Sequence, residues 1–314
     1  MLPFLIAGAI ALAQGATPVA TPVTLASAPA PQHGTLLTPA GATRAVAVII
    51  PGSGPTDRDG NNPFGVSAAT YRLLAEGLAT QGIATVRYDK RGIGESAAAM
   101  TAEADLRFDT YIDDARGWTA EAATRAGQPC AWLIGHSEGA LIALAAVKTP
   151  DDKVCGLVLL SGAGRPAGTV IREQLANAPE PLKSQAAAIL TELEAGRAVA
   201  DVPPALNALF RASVQPYIMS WLPLDPAALI AGYPGPVMIG QGTTDIQVGM
   251  TDAQTMATAQ PNAVLTTFEG VNHVLKVAPT DRAANVATYS DPSLPLAPGV
   301  VDAVAGFILS HTAP

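Results

Sequence analysis

Ala131-Trp132-Leu133-Ile134-Gly135-His136-Ser137-Glu138-Gly139-Ala140 is the most informative stretch of the chain. Residues 131–134 form an apolar run of strand length, and residues 140–148 are rich in small, helix-compatible side chains. Between them, G-x-S-x-G has the form of a nucleophile elbow, a strained strand-to-helix turn that holds a serine hydroxyl out over a sheet. Gly135 and Gly139 let such a turn close without side-chain clashes. An ordinary turn also explains the two glycines, but it does not call for a buried strand on one side and an Ala-rich helix on the other.

The flanking sequence repeats this strand and helix alternation. Upstream, residues 45–50 (Ala-Val-Ala-Val-Ile-Ile) read as a buried strand, stopped by Pro51-Gly52-Ser53-Gly54-Pro55. A helix is expected from a Ser67 cap to Gln81, with Gly82 as its stop. Residues 83–88 form the next strand, closed by Asp89-Lys90-Arg91-Gly92-Ile93-Gly94, and a helix over residues 110–124 leads to the elbow strand. Downstream, residues 156–160, 236–240 and 264–268 read as strands and residues 299–310 as a closing helix. Residues 163–233 carry helical patterns without a clear strand and exceed an ordinary connection, so they read as an inserted helical cap. The expected fold is α/β, a mostly parallel central sheet flanked by helices. Its expected divisions are a signal peptide and flexible leader at 1–33, a catalytic domain at 34–162 and 234–314, and the cap at 163–233.

A serine hydroxyl needs a neighbouring base to act as a nucleophile at neutral pH. Of the four histidines, His33 falls in the expected leader, His311 at the far end, and His136 beside the serine with its side chain directed elsewhere. His273 remains, in the loop after the strand at 264–268. The far nitrogen of its ring requires a carboxylate, and Asp245, after the strand at 236–240, completes the order Ser, Asp, His. Asp252, about two helical turns later, is expected to face solvent. Backbone N–H groups of Glu138 and Ser53 are the candidate oxyanion donors, with Gly54 an alternative to Ser53. Asp57-Arg58-Asp59-Gly60-Asn61, and Arg87, Asp89 and Arg91, read as internally paired loops rather than catalysts. Tyr217, Ile218, Met219 and Trp221 of the insert either line an apolar pocket or fasten the cap to its domain.

With 314 residues, 49% of them hydrophobic, the chain can bury one large core. Its net charge of −8, without a run of Lys or Arg, argues against a nucleic-acid partner and fits a neutral small-molecule substrate. Residues 2–13 are almost wholly apolar and end in Ala11-Leu12-Ala13, a small-x-small site, so a signal peptide and export to the periplasm or medium are expected. The run is too short for a stable membrane span. Cys130 and Cys155 each precede a strand; they form either a disulfide or two buried thiols, and two isolated cysteines do not make a zinc site. No phosphate loop or dinucleotide fingerprint is present, so no cofactor or metal is expected.

Together, Gly52 to Gly60 (G-S-G-P-x-D-R-D-G), Tyr88-Asp89-Lys90-Arg91-Gly92, Gly135-His136-Ser137-Glu138-Gly139, Gly242-x-x-Asp245-Ile246-Gln247-Val248 and Asn272-His273 resemble a serine-esterase branch of the α/β-hydrolase superfamily. The resemblance runs from about residue 34 to residue 307. It implies cofactor-free hydrolysis of carboxylic esters through an acyl-enzyme, with the insert between the sixth and seventh strands forming a lid. The expectation is thus an exported esterase acting on small, short-acyl esters. Serine peptidase, amidase or thioesterase activity on the same fold is the alternative among enzymes, and a non-catalytic binding protein the alternative of another class.

Overall fold

The computed structural model describes residues 17–100 and 102–312. The expected signal segment at residues 2–13 lies outside them. Eight strands form one sheet: β1 (Val19–Leu25), β2 (Gln32–Thr38), β3 (Ala45–Ile50), β4 (Ile83–Tyr88), β5 (Ala131–His136), β6 (Val154–Leu160), β7 (Val237–Gly242) and β8 (Val264–Phe268). Their spatial order is β1-β2-β4-β3-β5-β6-β7-β8. β1 and β2 pair antiparallel, β2 meets β4 antiparallel, and every pairing from β4 to β8 is parallel. Every residue of β3, β4, β5 and β7 is buried, as a strand covered by helices on both faces must be.

Two layers of helices provide that cover. α1 (Thr70–Thr80) buries Tyr71, Leu74, Ala75 and Leu78 at helical spacing. α2 (Phe108–Ala126) packs Phe108, Ala115, Trp118 and Ala122 against the sheet and stops at Gly127, whose φ of 63° suits glycine. α3 (Glu138–Ala146) is buried along its whole length behind the elbow. Between β6 and β7 lie α4 (Ala167–Gln174), α5 (Leu182–Glu194), α6 (Asn207–Phe210), α7 (Gln215–Trp221) and α8 (Pro226–Ala231). α9 (Met250–Ala259), α10 (Arg282–Ala287) and α11 (Val300–Ser310) complete the chain. Among the described residues no helix is long and apolar enough to cross a membrane.

Three expectations need correction. Residues 17–33 are not a flexible leader: β1 and the first residues of β2 lie there, Val23 is buried, and Gln32 accepts the indole N–H of Trp118 at 3.0 Å. Ala, Pro and Thr imitate a linker in composition, but β1 is an edge strand, where proline is tolerated. The sheet therefore begins before residue 34. The first helix starts at Thr70 because Ser67 is engaged elsewhere, bonding the backbone carbonyls of Tyr289 and Ser290. Asp252 does not face solvent; it is fully buried, accepts the Gly164 N–H, and binds Arg165 through Nε at 2.9 Å and a terminal nitrogen at 2.8 Å.

Cys130 and Cys155 are joined in a disulfide between the amino-terminal ends of the adjacent strands β5 and β6. The polar loops pair internally. Arg58 bonds Asp89 and Glu95, Arg87 bonds Asp59, and Arg91 grips Asp114 through two nitrogens at 2.7–3.0 Å.

Candidate active site

The carboxyl ends of the parallel strands gather the candidate residues. Ser137 follows β5 directly, with φ 55° and ψ −121°, a backbone conformation that costs energy for any residue with a side chain. It is held because β5 runs without interruption into α3 and the Ser137 N–H bonds the Leu160 carbonyl at 2.9 Å. The elbow has no space for substitution. A Cβ on Gly139 would strike the Ile50 carbonyl oxygen, and one on Gly135 the Gly139 carbonyl oxygen.

Asp245 sits in the loop after β7. One carboxylate oxygen accepts the N–H of Gln247 (2.8 Å) and of Val248 (3.0 Å); the other accepts from Gln241 (3.2 Å) and lies 2.8 Å from His273 Nδ1. Burial works against the charged form, but His273 and these N–H donors outweigh it and hold the carboxyl below its usual range. His273 is fixed by its neighbours. Buried Asn272 bonds Thr288 (2.7 Å) and takes the Lys276 N–H, Thr70 donates to the Val274 carbonyl (3.0 Å), and Asn285 bonds the Thr244 carbonyl (2.9 Å), tying the aspartate loop to the segment behind the histidine.

Ser137 and His273 line the same cavity, of about 160 Å³, together with Ser53, Tyr71 and Gln247. A second cavity of about 120 Å³ adjoins Ser137 and Ser53 from the insert side, walled by Leu141, Arg165, Ile171 and Trp221. Of the insert residues singled out above, Trp221 lines this space. Tyr217 and Met219 do not: Tyr217 is buried against Phe108 and Tyr111, and Met219 packs on the core. Neither the Ser53 N–H nor the Glu138 N–H has an acceptor among the described residues.

Sequence reasoning missed two features. His136 is not a bystander. Its Nε2 lies 2.7 Å from the His273 carbonyl oxygen, which only accepts, so Nε2 carries the proton; Nδ1, 2.9 Å from the Tyr71 hydroxyl, is then the acceptor. That hydroxyl in turn accepts the Gly52 N–H at 2.9 Å. Burial, with nearby His273, pushes His136 down to about 3, so the ring is neutral. The second feature is Lys90, fully buried, whose Nζ donates to the Gly52 carbonyl at 2.6 Å. No local sequence pattern marks either contact, since each joins segments far apart in the chain.

A comparison with curated proteins gives no match. Among solved structures the chain is similar to Est1E from Butyrivibrio proteoclasticus (18% identity, TM-score 0.59, covering 93% of this chain and 99% of that one). It is also similar to the Pyrococcus furiosus esterase Pf2001 (15%, TM-score 0.57, 94% of each chain) and to a bromoperoxidase from Bacillus anthracis (14%, TM-score 0.54, 92% and 99%). Likeness at this level shows the shared fold and leaves the reaction open. A family model described as serine aminopeptidase, S33, matches residues 64–268, from the loop before α1 to the end of β8. Since that match takes in the elbow, the insert and Asp245, and spans well over half the sequence, the chain belongs to this family of α/β-fold hydrolases.

Proposed function

We propose that the protein is an exported serine esterase that hydrolyses small, neutral carboxylic esters of short acyl chain, with Ser137 as nucleophile, His273 as general base and Asp245 orienting that base. The observation that carries this reading is the 2.8 Å contact of Asp245 with His273 Nδ1, on the wall of a cavity that also exposes Ser137. With Nδ1–H donated to the carboxylate, Nε2 keeps its lone pair for the serine proton. The Ser137 oxygen attacks the ester carbonyl, and the N–H groups of Ser53 and Glu138 receive the oxyanion. The imidazolium then returns its proton to the departing alkoxide. Water, deprotonated by the same ring, releases the acid and restores the serine.

The cavity walls support the substrate class. Leu141, Ile171 and Trp221 around about 120 Å³ leave room for a short acyl group, and α4 to α8 act as the cap over it. Residues 52–60, with Arg58 paired to Asp89 and Asp59 to Arg87, support membership of the G-S-G-P-x-D-R-D-G esterase branch. The disulfide supports an oxidising compartment, in keeping with the apolar run at residues 2–13.

Labelling with a fluorophosphonate, followed by peptide mapping, tests the core of this reading. Modification at Ser137, abolished in Ser137→Ala together with p-nitrophenyl acetate hydrolysis, is the expected result. Failure of the wild-type chain to label refutes it and favours a binding protein. The family description favours one second reading, an aminopeptidase. Rates on an ester and its matching anilide separate the two, and a p-nitrophenyl series of graded acyl length locates the limit set by the cavity.

A further inference from the structure

We infer that Lys90 is a positioning residue for the oxyanion hole: by holding the Gly52 carbonyl, it aims the Ser53 N–H at the reacting oxygen. The inference rests on the esterase reading above and extends it to a residue that does not touch the substrate.

Gly52 C=O and Ser53 N–H belong to one planar trans peptide, so they point in opposite directions. Whatever grips the carbonyl sets the direction of the N–H. Lys90 Nζ grips it at 2.6 Å from beneath the loop, while Ser53 lines both cavities at Ser137. The preceding peptide is fixed as well, because the Gly52 N–H is donated to the Tyr71 hydroxyl. Gly52 is therefore clamped at both its backbone polar groups, and the N–H of Ser53 is the one left over.

Lys90 reaches the other half of the hole too. Its Nζ is 3.8 Å from the carboxylate of Glu138, whose backbone N–H is the second candidate donor. Both side chains are buried, and the remaining face of the ammonium lies over the Tyr111 ring, 5.1 Å from its centre. A bare carboxylate at residue 138 would oppose negative charge developing beside Ser137. The ammonium offsets it and, through its bond to the Gly52 carbonyl, polarises the Ser53 peptide so that its N–H donates more strongly.

The test uses paired substrates, a p-nitrophenyl ester and the thionoester in which sulfur replaces the carbonyl oxygen. Sulfur accepts hydrogen bonds weakly, so an oxyanion hole favours the oxoester far more than the thionoester. In Lys90→Met, kcat/KM for the oxoester is expected to fall by roughly 10- to 100-fold, carried by kcat, and that for the thionoester by less than about threefold. Lys90→Met/Glu138→Gln removes the uncompensated carboxylate and serves where the single variant folds poorly; the same narrowing of the ratio is expected. Equal losses on both substrates, or no loss in a folded variant, overturn the inference while leaving the esterase reading intact. Absence of Ser137 labelling in the wild-type protein overturns the reading itself.

Discussion

Protonating His136 is expected to destabilise the protein, because the ring is buried and both its nitrogens are already engaged. Its Nε2–H is given to the His273 carbonyl and its Nδ1 lone pair receives the Tyr71 hydroxyl. A second ring proton would confront that hydroxyl, which already accepts the Gly52 N–H and would be left with no acceptor for its own proton. Burial, with nearby His273, pushes the folded ring down to about 3, against about 6.5 for an unfolded histidine. For a folded value lowered in this way, the contribution to stability is complete above the unfolded value and declines as pH falls toward the folded one. At about pH 5 the gap is about 1.5 units, and at about 1.4 kcal/mol per unit the folded state loses roughly 2 kcal/mol relative to about pH 7.5. Gln in place of His136 keeps an acceptor for Tyr71 and a donor for the His273 carbonyl but does not titrate. Urea unfolding followed by tryptophan fluorescence should give His136→Gln a lower stability near neutrality and a loss on acidification smaller by roughly 2 kcal/mol than that of the wild type. Parallel profiles for the two proteins would falsify the assignment of a buried, neutral His136.

Three other outcomes follow from the packing. Opening the 25-residue Cys130–Cys155 link, by reductant or as Cys130→Ser/Cys155→Ser, should lower unfolding free energy by roughly 3 kcal/mol while leaving ester turnover at moderate temperature near wild type, since the bond lies at the end of the strands away from Ser137. Asp252→Ala leaves the Gly164 N–H and the Arg165 guanidinium without their buried acceptor and should cost roughly 3 kcal/mol in urea unfolding, with acyl-length preference altered because Arg165 walls the cavity. Gly139→Ala places a methyl against the backbone of Ile50 and Pro51, which cannot yield, and a loss of about 3 kcal/mol or absence of soluble protein is expected.

What the sequence disclosed was local chemistry. Apolar runs of strand length, the elbow glycines and the loops after β7 and β8 each follow from a few adjacent residues, and they suffice to nominate Ser137, Asp245 and His273. Contacts between distant segments left no such trace. Tyr71 and His136 are 65 positions apart, Lys90 and Gly52 are 38 apart, and Arg165 and Asp252 are 87 apart; only the folded sheet brings them together. Composition misled at β1, where Ala, Pro and Thr suit an edge strand as well as a linker. Spacing misled at Asp252, since a carboxylate in the first turn of α9 is solvent-facing only if no cation approaches it.

Proline within β1 has a bearing on how the molecules meet one another. Register with β2 continues through Pro22 opposite Thr35, which leaves the imide nitrogen turned to the open side of the sheet. An incoming β-segment from a neighbouring copy would find a donor missing there, so the ladder tends to terminate at this margin. At the far margin β8 is largely uncovered among the described residues, with Val264 and Leu265 exposed and no proline in the strand, and lateral growth of the ladder should start from it.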